Sequence, residues 1–311
     1  MEWDDLTARR LSTRELRIFL AVAHSRSMAK AAKTVGTSQP AISKAIADME
    51  YSLGVRLLDR SPQGVEPTQY GRALIKCGIA VFNELNQGIN EIGFLADPTA
   101  GELRIGCPDA FAAGMVQVVI DRLLRKHPRI TFHVETTALY RELRERNVEL
   151  IINRMPGLVA EEDFDAEVLY QDSVVIVTGA NSPWARRRKV QLADLVNESW
   201  VMPKSDSPLW PSLIKAFYAS GLKPPRATVT VSSFHVRLSL LATGRFLSVR
   251  PGSTLRFQGK TPVLTALPIE LPPNQEPVAI ITLKNRTLSP VARLFIEHAR
   301  EVAKPLAKRK W

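Results

Sequence analysis

Two short helical patterns that meet at Gly36 constrain the fold more than any other feature of this 311-residue sequence. Glycine readily takes the left-handed conformation that ends a helix, and Thr37 or Ser38 has a side chain that caps the next one. Apolar residues recur at helical spacing on both sides of the turn. They are Ala31, Ala32 and Val35 before it, and Ile42, Ala45, Ile46 and Met49 after it. Two short amphipathic helices joined by such a tight turn predict a helix-turn-helix.

The residues on either side of this motif extend the prediction to a small domain with a β-wing. Before it, Leu16, Phe19, Leu20 and Ala23 fall at positions i, i+3, i+4 and i+7, which places one apolar stripe on a first helix. After it, the stretch VRLLDRSPQGVEPTQYG contains two short extended pieces around a turn-forming Pro-Gln-Gly cluster. We therefore expect a winged helix-turn-helix over residues 11–69.

A long helix is expected to follow, over residues 70–100. Ile75, Phe82 and Ile89 recur every seven residues, a spacing typical of helices that pair with other helices. Further heptad positions three residues later are occupied by Gly78, Leu85 and Ile92. The pattern predicts a linker and dimerisation helix; the alternative is a helix that lies on its own domain. An Asp-Pro-Thr-Ala-Gly run ends it.

Beyond residue 101 the sequence alternates between strand and helix patterns, which predicts parallel sheets covered by helices. The strand candidates are residues 103–106, 130–136, 150–153, 173–178, 200–202, 228–231, 246–249 and 278–283. A segment of about 200 residues exceeds a single small domain. The expected fold is therefore multidomain α/β, with one lobe from residues 101–170 and 276–305 and a second lobe from residues 171–275.

The charge of the chain favours a polyanionic partner. Lys and Arg number 42 against 31 Asp and Glu, a formal net charge of +11, and such an excess attracts nucleic acid or an anionic membrane. The sequence has no apolar run near the roughly 20 residues that a membrane-spanning helix needs, and no signal-peptide pattern. We therefore expect a cytoplasmic protein without a membrane partner.

Only two cysteines occur, Cys77 and Cys107, and neither has a second cysteine or clustered histidines at zinc-type spacing. We expect no structural metal. In a cytosolic protein both thiols are expected to be reduced and structural; the alternative is a redox role for one of them.

Residues 11–71 resemble the DNA-binding signature of LysR-type transcriptional regulators. The stretch LRIFLAVAHSRSMAKAAKTVGTSQPAISKAIADMEYSLGVRLLDR, followed by EPTQYG, carries the family's Ser-x-x-x-Ala-Ala helix and its Ser-Gln-Pro-Ala-x-Ser recognition helix. The matching positions are Phe19, Ser27, Ala31, Ala32, Ser38, Gln39, Pro40, Ala41, Ser43, Glu50, Leu53, Gly54 and Arg60. The chain departs from the pattern at Met49, Leu58 and Tyr70, where apolar volume is approximately kept.

The remaining chain resembles the family's effector domain through its length, LRIG at 103–106 and KHPRITFHV at 126–134, and LRERNVELIINRMP is similar to the galactose-binding-protein regulator sub-group. The resemblance implies a two-lobed domain like the periplasmic binding proteins, which binds a small-molecule effector. It also implies a sequence-specific transcriptional regulator without cofactor or catalysis. Its expected partners are promoter DNA, RNA polymerase and further copies of itself, as a homodimer or homotetramer.

The candidate DNA-binding residues follow from which side of the recognition helix its apolar residues occupy. The residues left to face outward near its N-terminus are Ser38, Gln39, Pro40, Ser43 and Lys44. Gln pairs bidentately with adenine, and Ser and Lys reach base edges or phosphate, so we expect this end in the major groove. Phosphate contacts, which hold register without reading sequence, are expected from Ser27, Lys30, Arg60 and Thr68; for each of these the alternative is a cap or a solvated side chain.

The candidate effector-binding residues follow the predicted strands, because two-lobed α/β domains bind ligands where strand ends of both lobes face each other. The candidates are Cys107, Pro108, Asp109, Thr136 and Thr137 in the first lobe, and Pro203, Lys204, Ser205, Ser248 and Arg250 in the second. An acid such as Asp109 at the mouth of a cleft disfavours a simple carboxylate ligand. The sequence thus favours a polyol or sugar-derived effector, with loop structure as the alternative role for each residue.

Two other classes of protein fit the sequence less well. An enzyme on a doubly wound fold is disfavoured, because the sequence has no GxGxxG, P-loop or GxSxG motif and its five histidines lack a motif-level partner. A basic architectural DNA binder without a ligand is disfavoured by the length of the two-lobed half.

Overall fold

The computed structural model describes residues 11–61, 64–97, 100–137, 139–155, 163–204, 207, 209–259, 261–269, 271 and 275–307. The chain divides into two compact units, one up to Ile89 and one from Asn90 onward. Among the helices that the structure describes, none combines the length and the hydrophobicity needed to cross a bilayer.

The first unit is a winged helix-turn-helix, as expected. Its elements are helix α1 (Thr13–Ser25), α2 (Met28–Val35) and α3 (Gln39–Leu53), strands β1 (Leu58–Ser61) and β2 (Gly64–Pro67), and the first part of helix α4 (Gln69–Ala96). Phe19, Val22, Ile42 and Ile46 are fully buried at the centre of its core. Gly36 ends α2 in the left-handed conformation, with φ of 73°.

The wing is held against the helices through backbone groups. β1 and β2 form an antiparallel hairpin, and the amide of Val65 donates to the carbonyl of Arg26 at 3.1 Å. A Cβ at Gly64 would lie 2.9 Å from that same carbonyl oxygen. Glycine therefore permits the close approach between the wing and the corner that joins α1 to α2.

Helix α4 has two different halves. In the first half, a Cβ at Gly78 would lie 3.1 Å from side-chain carbons of Leu16 and Leu20, and Ile75 packs against the core of the first unit. In the second half, an apolar stripe is exposed, which we call the outer stripe of α4: Leu85, Ile89, Ile92 and Leu95. The predicted heptad positions therefore pack against the helix's own domain in the first half and are exposed in the second half.

The second unit contains two five-stranded sheets, one in each lobe. The strands are β3 (Ala100–Gly106), β4 (Arg129–Glu135), β5 (Leu150–Arg154), β6 (Phe164–Asp172), β7 (Val174–Gly179), β8 (Trp200–Met202), β9 (Ala227–Thr230), β10 (Leu247–Pro251), β11 (Leu264–Ala266) and β12 (Glu276–Leu283). The strand order is β4-β3-β5-β12-β6 in the first sheet and β11-β7-β10-β8-β9 in the second.

The expectation of parallel sheets is wrong in part. β3 runs parallel to β4 and β5, but β12 runs antiparallel to β5 and β6. In the second sheet, β7 is antiparallel to β10 and β11. β6 and β7 follow each other directly as the chain leaves the first lobe, and β12 is the strand that brings it back. Because β12 enters the first sheet from the second lobe and not through a crossover helix from a neighbouring strand, it need not run parallel to its neighbours.

Helices pack on both sheets. They are α5 (Asp109–Phe111), which continues through a π-helical turn (Ala112–Val116) into α6 (Gln117–Lys126), then α7 (Leu139–Arg144), α8 (Leu209–Ala219), α9 (Phe234–Ala242) and α10 (Pro290–Ala307). The first lobe's core surrounds Phe295 of α10. In the second lobe, Trp200 and Phe217 meet edge to face, with ring centroids 6.2 Å apart, and the indole of Trp200 donates to the carbonyl of Leu195.

The chain crosses from the first lobe to the second at Asp172 and Ser173, and this crossing is tied by buried hydrogen bonds. The carboxylate of Asp172 accepts from the backbone amides of Ser173 and Ser253, at 2.9 and 3.0 Å, and from the hydroxyl of Ser253. Burial raises the pKa of Asp172, and its hydrogen bonds to Ser253 oppose that rise. Ser253, in a 3₁₀ turn of the second lobe (Gly252–Phe257), also accepts from the hydroxyl of Tyr170.

Candidate DNA-binding face and effector cleft

The N-terminal turn of α3 presents polar side chains away from the core. Ser38 is the N-cap, and its hydroxyl accepts from the amide of Ala41 at 3.4 Å. Gln39, Pro40 and Lys44 are exposed because Ile42 and Ile46, on the opposite side of the helix, fill the core. The structure thus brings the expected base-reading residues together on one exposed surface.

Ser43 and Arg60 lie at the junction of this helix with the wing. A terminal nitrogen of Arg60, in β1, donates to the hydroxyl of Ser43 at 3.4 Å. Ser43 is half-buried and Arg60 exposed. The wing's guanidinium therefore lies beside the face of α3, as a group that contacts a neighbouring phosphate must.

The remaining expected phosphate contacts occupy helix starts. Ser27 caps α2 by accepting from the amide of Lys30 at 3.4 Å, and the Lys30 side chain is exposed. Thr68 accepts from the amide of Gly71 and donates to the carbonyl of Arg56 at 2.7 Å. The hydroxyl proton of Thr68 is therefore engaged within the protein.

Sequence reasoning gave no structural role to Glu50. Its carboxylate oxygen Oε1 accepts from the amides of Leu57 and Leu58, at 2.8 and 3.1 Å. Both leucines are buried at the start of the wing. Glu50 therefore fixes the wing relative to α3, and its place in the matched signature was the available signal.

In the first lobe, the expected effector residues lie at the carboxyl edge of the sheet. The amide of Cys107, just after β3, donates to the carbonyl of Glu135 at the end of β4 at 2.9 Å, which sets Thr136 beside it. Asp109 begins α5 and is exposed, whereas Cys107 is fully buried. Burial, followed by the charge of Asp109, raises the pKa of Cys107 to about 12. Its thiol is therefore a poor nucleophile.

In the second lobe, the matching edge is formed by the ends of β8, β9 and β10. β8 is parallel to both neighbours, and the amide of Val231 donates to the carbonyl of Met202 at 3.0 Å. Pro203 is buried, and its carbonyl accepts from the indole of Trp210. Ser248 and Arg250 share one face of β10, since side chains two residues apart in a strand point the same way. Ser205 lies outside the described residues.

Two residues of this edge were missed by sequence reasoning, Phe234 and Arg237 of α9. The guanidinium carbon of Arg250 lies 4.8 Å from the ring centroid of Phe234, and that of Arg237 lies 5.9 Å from it. Arg237 also donates to the carbonyl of Val231 at 3.1 Å. Burial lowers the pKa of Arg237, and the charge of Asp109, from the first lobe, opposes that change. The available signal was a lone arginine in a helix whose other residues are mostly apolar.

Two family models match the chain. The model for bacterial regulatory helix-turn-helix proteins of the lysR family matches residues 13–72. The model for the LysR substrate binding domain matches residues 96–304.

Similar proteins with curated descriptions are transcriptional regulators. The HTH-type transcriptional regulator GbpR of Azospirillum brasilense is 32% identical over 288 residues, which are 91% of this chain and 84% of that protein. The transcriptional dual regulator GltC of Bacillus subtilis is 27% identical over 292 residues, which are 92% of this chain and 96% of that protein.

Solved structures extend the likeness to the whole fold. CbnR, a LysR family transcriptional regulator, superposes with a TM-score of 0.65 at 22% identity, over 94% of this chain and 100% of that chain. Full-length CbnR in complex with its target DNA gives a TM-score of 0.66 at the same identity and coverage. At this identity the likeness concerns the fold. The two matching models and the 32% identity to GbpR show that the chain belongs to the LysR family, as a transcriptional regulator with a DNA-binding helix-turn-helix and an effector-binding domain.

Proposed function

We propose that this regulator reads base edges with the N-terminal turn of α3 and responds to a small polar metabolite that binds between the two lobes of the second unit. The observation that carries the DNA part is the surface formed by Ser38, Gln39 and Lys44, which α3 exposes while its other side fills the core. A helix N-terminus with side chains of this kind suits the major groove.

In this proposal the residues divide by task. Gln39 reads a base, assisted by Ser38, Ser43 and Lys44, and Pro40 starts the helix. Phosphates are contacted by Lys30 and Arg60, and Ser27 and Thr68 position their helices as caps. The effector contacts Asp109, Thr136 and Thr137 from the first lobe, with Pro108 and the buried Cys107 shaping the loop. From the second lobe, Pro203 and Ser248 complete the cleft, and Ser205, which lies outside the described residues, is a further candidate.

We further propose that the chain acts in the cytoplasm as a homodimer or homotetramer on promoter DNA, contacts RNA polymerase, and binds its effector without turning it over. Membership of a family of transcriptional regulators supports binding rather than catalysis. The resemblance of the LRERNVELIINRMP stretch to the galactose-binding-protein regulator sub-group supports a sugar-like effector.

The base-reading role is tested by Gln39→Ala. Loss of a bidentate pair costs about 1 to 3 kcal/mol of discrimination, so specific operator affinity should fall while affinity for random DNA stays nearly unchanged. The operator is first selected from a random-sequence DNA pool with the wild-type protein, and both affinities are then measured at one salt concentration.

The matched control is Gln117→Ala, because Gln117 is also exposed at the first position of a helix but lies in the second unit. This variant should bind both DNAs as the wild type does. An equal loss of operator and random-DNA affinity in Gln39→Ala would show that Gln39 does not read a base.

A further inference from the structure

We propose that the effector is a small anion, carrying a carboxylate or a phosphate, whose charged group binds Arg237 and Arg250 at the carboxyl edge of the second lobe's sheet. This inference rests on the proposed function, because it names the chemical class of the ligand for the same cleft.

The first observation is that two like charges are held together on one aromatic ring. The guanidinium carbons of Arg250 and Arg237 lie 4.8 and 5.9 Å from the ring centroid of Phe234. Burial, and after it the charge of Arg237, lowers the pKa of Arg250 to about 10. Two guanidinium groups that repel each other in a half-buried position are unfavourable in the ligand-free protein. A bound anion offsets that repulsion, because it attracts both groups.

The second observation is that hydrogen-bond donors remain unused at the same place. Among the residues that the structure describes, no acceptor is within reach of the buried Nε of Arg250, and the hydroxyl of the fully buried Ser248 has no partner. Buried polar groups are nearly always satisfied, and an exception calls for a ligand, ion or water. The two residues share one face of β10, so both unused donors lie on the same side of the sheet.

The third observation is the position of the pair in the fold. Arg250 lies near the end of β10, and Arg237 reaches the end of β9 by donating to the carbonyl of Val231. The carboxyl ends of parallel strands are where α/β sheets bind ligands. The N-terminus of α9, capped by Ser233, adds a partial positive charge that favours an anion.

Asp109 narrows the chemical class of the ligand but does not exclude an anion. It is the only one of the three charged residues that is acidic, so the two arginines leave the set net positive. The exposed carboxylate of Asp109 lies in the first lobe and interacts electrostatically with Arg237. A carboxylate accepts hydrogen bonds from hydroxyl groups. The residues together therefore fit a hydroxylated anion, with its charge toward Arg237 and Arg250 and its hydroxyls toward Asp109.

The experiment compares matched pairs of compounds that differ in the anionic group: gluconate against sorbitol for a carboxylate, and glucose 6-phosphate against glucose for a phosphate. Thermal unfolding of the full chain is measured at millimolar concentrations of each, since a ligand that binds only the folded state raises the Tm. We expect at least one anionic member to raise the Tm and its neutral partner to leave it unchanged. Which pair responds distinguishes carboxylate from phosphate.

Two variants localise the effect. Arg250→Gln should weaken binding of the active anion by roughly 10- to 100-fold, the effect of losing a hydrogen bond to a charged group. Arg245→Gln is the control, because Arg245 is exposed and also lies over a phenylalanine, with its guanidinium carbon 5.7 Å from the ring centroid of Phe246. It should bind as the wild type does. In the absence of ligand, Arg250→Gln should keep or raise the Tm, because the repulsion from Arg237 is removed.

The possible results separate this inference from the proposed function. Stabilisation by a neutral member equal to that by its anionic partner overturns the anion assignment and leaves a polar effector in the cleft. Absence of stabilisation by every anion, or equal stabilisation of wild type and Arg250→Gln, also overturns it. In those cases operator footprints are repeated with a small-molecule cell extract split on an anion-exchange column. A footprint changed by the unretained fraction keeps the effector function, and one changed by neither fraction contradicts it.

Discussion

Glu50 shows how one side chain sets the geometry of the DNA-binding unit. It lies near the end of α3, and its carboxylate accepts from two consecutive backbone amides, those of Leu57 and Leu58. Because both leucines are buried, water cannot replace the acceptor without opening the core. Glu50 therefore contributes directly to the angle between the recognition helix and the wing.

Replacing Glu50 by Ala should destabilise the junction of α3 and β1. Leaving buried amides without an acceptor costs about 1 to 3 kcal/mol, so amide hydrogens of residues 55–61 should exchange faster in hydrogen-exchange mass spectrometry of the full chain. Glu66→Ala is the control, because Glu66 is exposed and its ion pair with Arg26 is long, at 3.8 Å between a terminal guanidinium nitrogen and a carboxylate oxygen. Exposed pairs of this kind contribute about 0 to 1 kcal/mol. Equal exchange in the two variants would rule out a structural role for Glu50.

Helix α4 shows what a periodic pattern determines and what it leaves open. The heptad spacing predicted a long helix, and the structure has one, Gln69–Ala96. Spacing alone does not distinguish a partner in the same domain from a partner in another chain, because both bury one apolar stripe. Along the helix, Gly78 lies against α1, whereas Ile89 and Ile92 are 65% and 69% exposed, so among the residues that the structure describes only the second half leaves an apolar stripe without a partner in its own domain.

We expect the outer stripe of α4 to pair two copies of the chain, so Ile89→Asp should shift the protein to monomers in sedimentation velocity. Burying an isoleucine contributes about 1.5 to 3 kcal/mol, and a carboxylate at the same seam adds a desolvation cost, so association should weaken by at least about tenfold. The control is Val263→Asp, at an exposed position of the second lobe. An unchanged sedimentation coefficient for Ile89→Asp would exclude this stripe from the interface.

The strands that sequence reasoning missed share a physical cause. β6, with the sequence FDAEVLYQD, places acids among its apolar residues, and five of its nine residues are exposed in this edge strand. β11 has only three residues. Neither presents the buried apolar run or clean alternation by which strands are recognised. β6 and β11 both run antiparallel to their neighbours, but so do the predicted strands β12 with β5 and β7 with β10. The pattern of a strand does not encode its direction relative to its neighbours, so the alternation of strands and helices alone made the sheets look parallel.

For the cleft, the sequence located the strand ends but not the side chains that meet there. Asp109, Thr136 and Ser248 could be placed, because each follows or lies within a recognisable strand. The arrangement of Arg237 with Arg250 around Phe234 depends on how α9 crosses the end of β10. Arg237 and Arg250 are 13 positions apart in the sequence, and they come together only through this tertiary contact. No local sequence pattern encodes it. The favoured ligand chemistry rested on Asp109 alone for this reason.

At the scale of the whole effector domain, the two lobes are joined by contacts that a change in their relative orientation would have to break. Tyr170, in β6 of the first lobe, donates to the hydroxyl of Ser253 in the second at 3.2 Å. Nearby, the ring of Phe257 from the second lobe comes within 3.1 Å of the position of a Cβ at Gly114 in the first. A ligand shifts such a domain only by binding one arrangement of the lobes more tightly than another. In the ligand-free protein, these contacts favour the arrangement in which the two lobes touch.

Tyr170→Phe tests how much these contacts restrain the lobes. The change is minimal, because it removes one hydroxyl and leaves the bond between Ser253 and Asp172 in place. Loss of a buried hydrogen bond costs about 1 kcal/mol, which corresponds to roughly a fivefold larger population of locally opened molecules. Hydrogen exchange of the ligand-free protein should therefore be faster in residues 250–255 and at the start of β7, while exchange in α8, packed in the second lobe's own core, should not change.

The control is Tyr218→Phe, at a tyrosine that is 65% exposed. If Tyr170→Phe exchanged as the wild type does at the crossing, the Tyr170–Ser253 bond would play no part in holding the lobes together, and the restraint would have to come from other contacts, such as the Asp172–Ser253 bonds and the packing of Phe257 against Gly114.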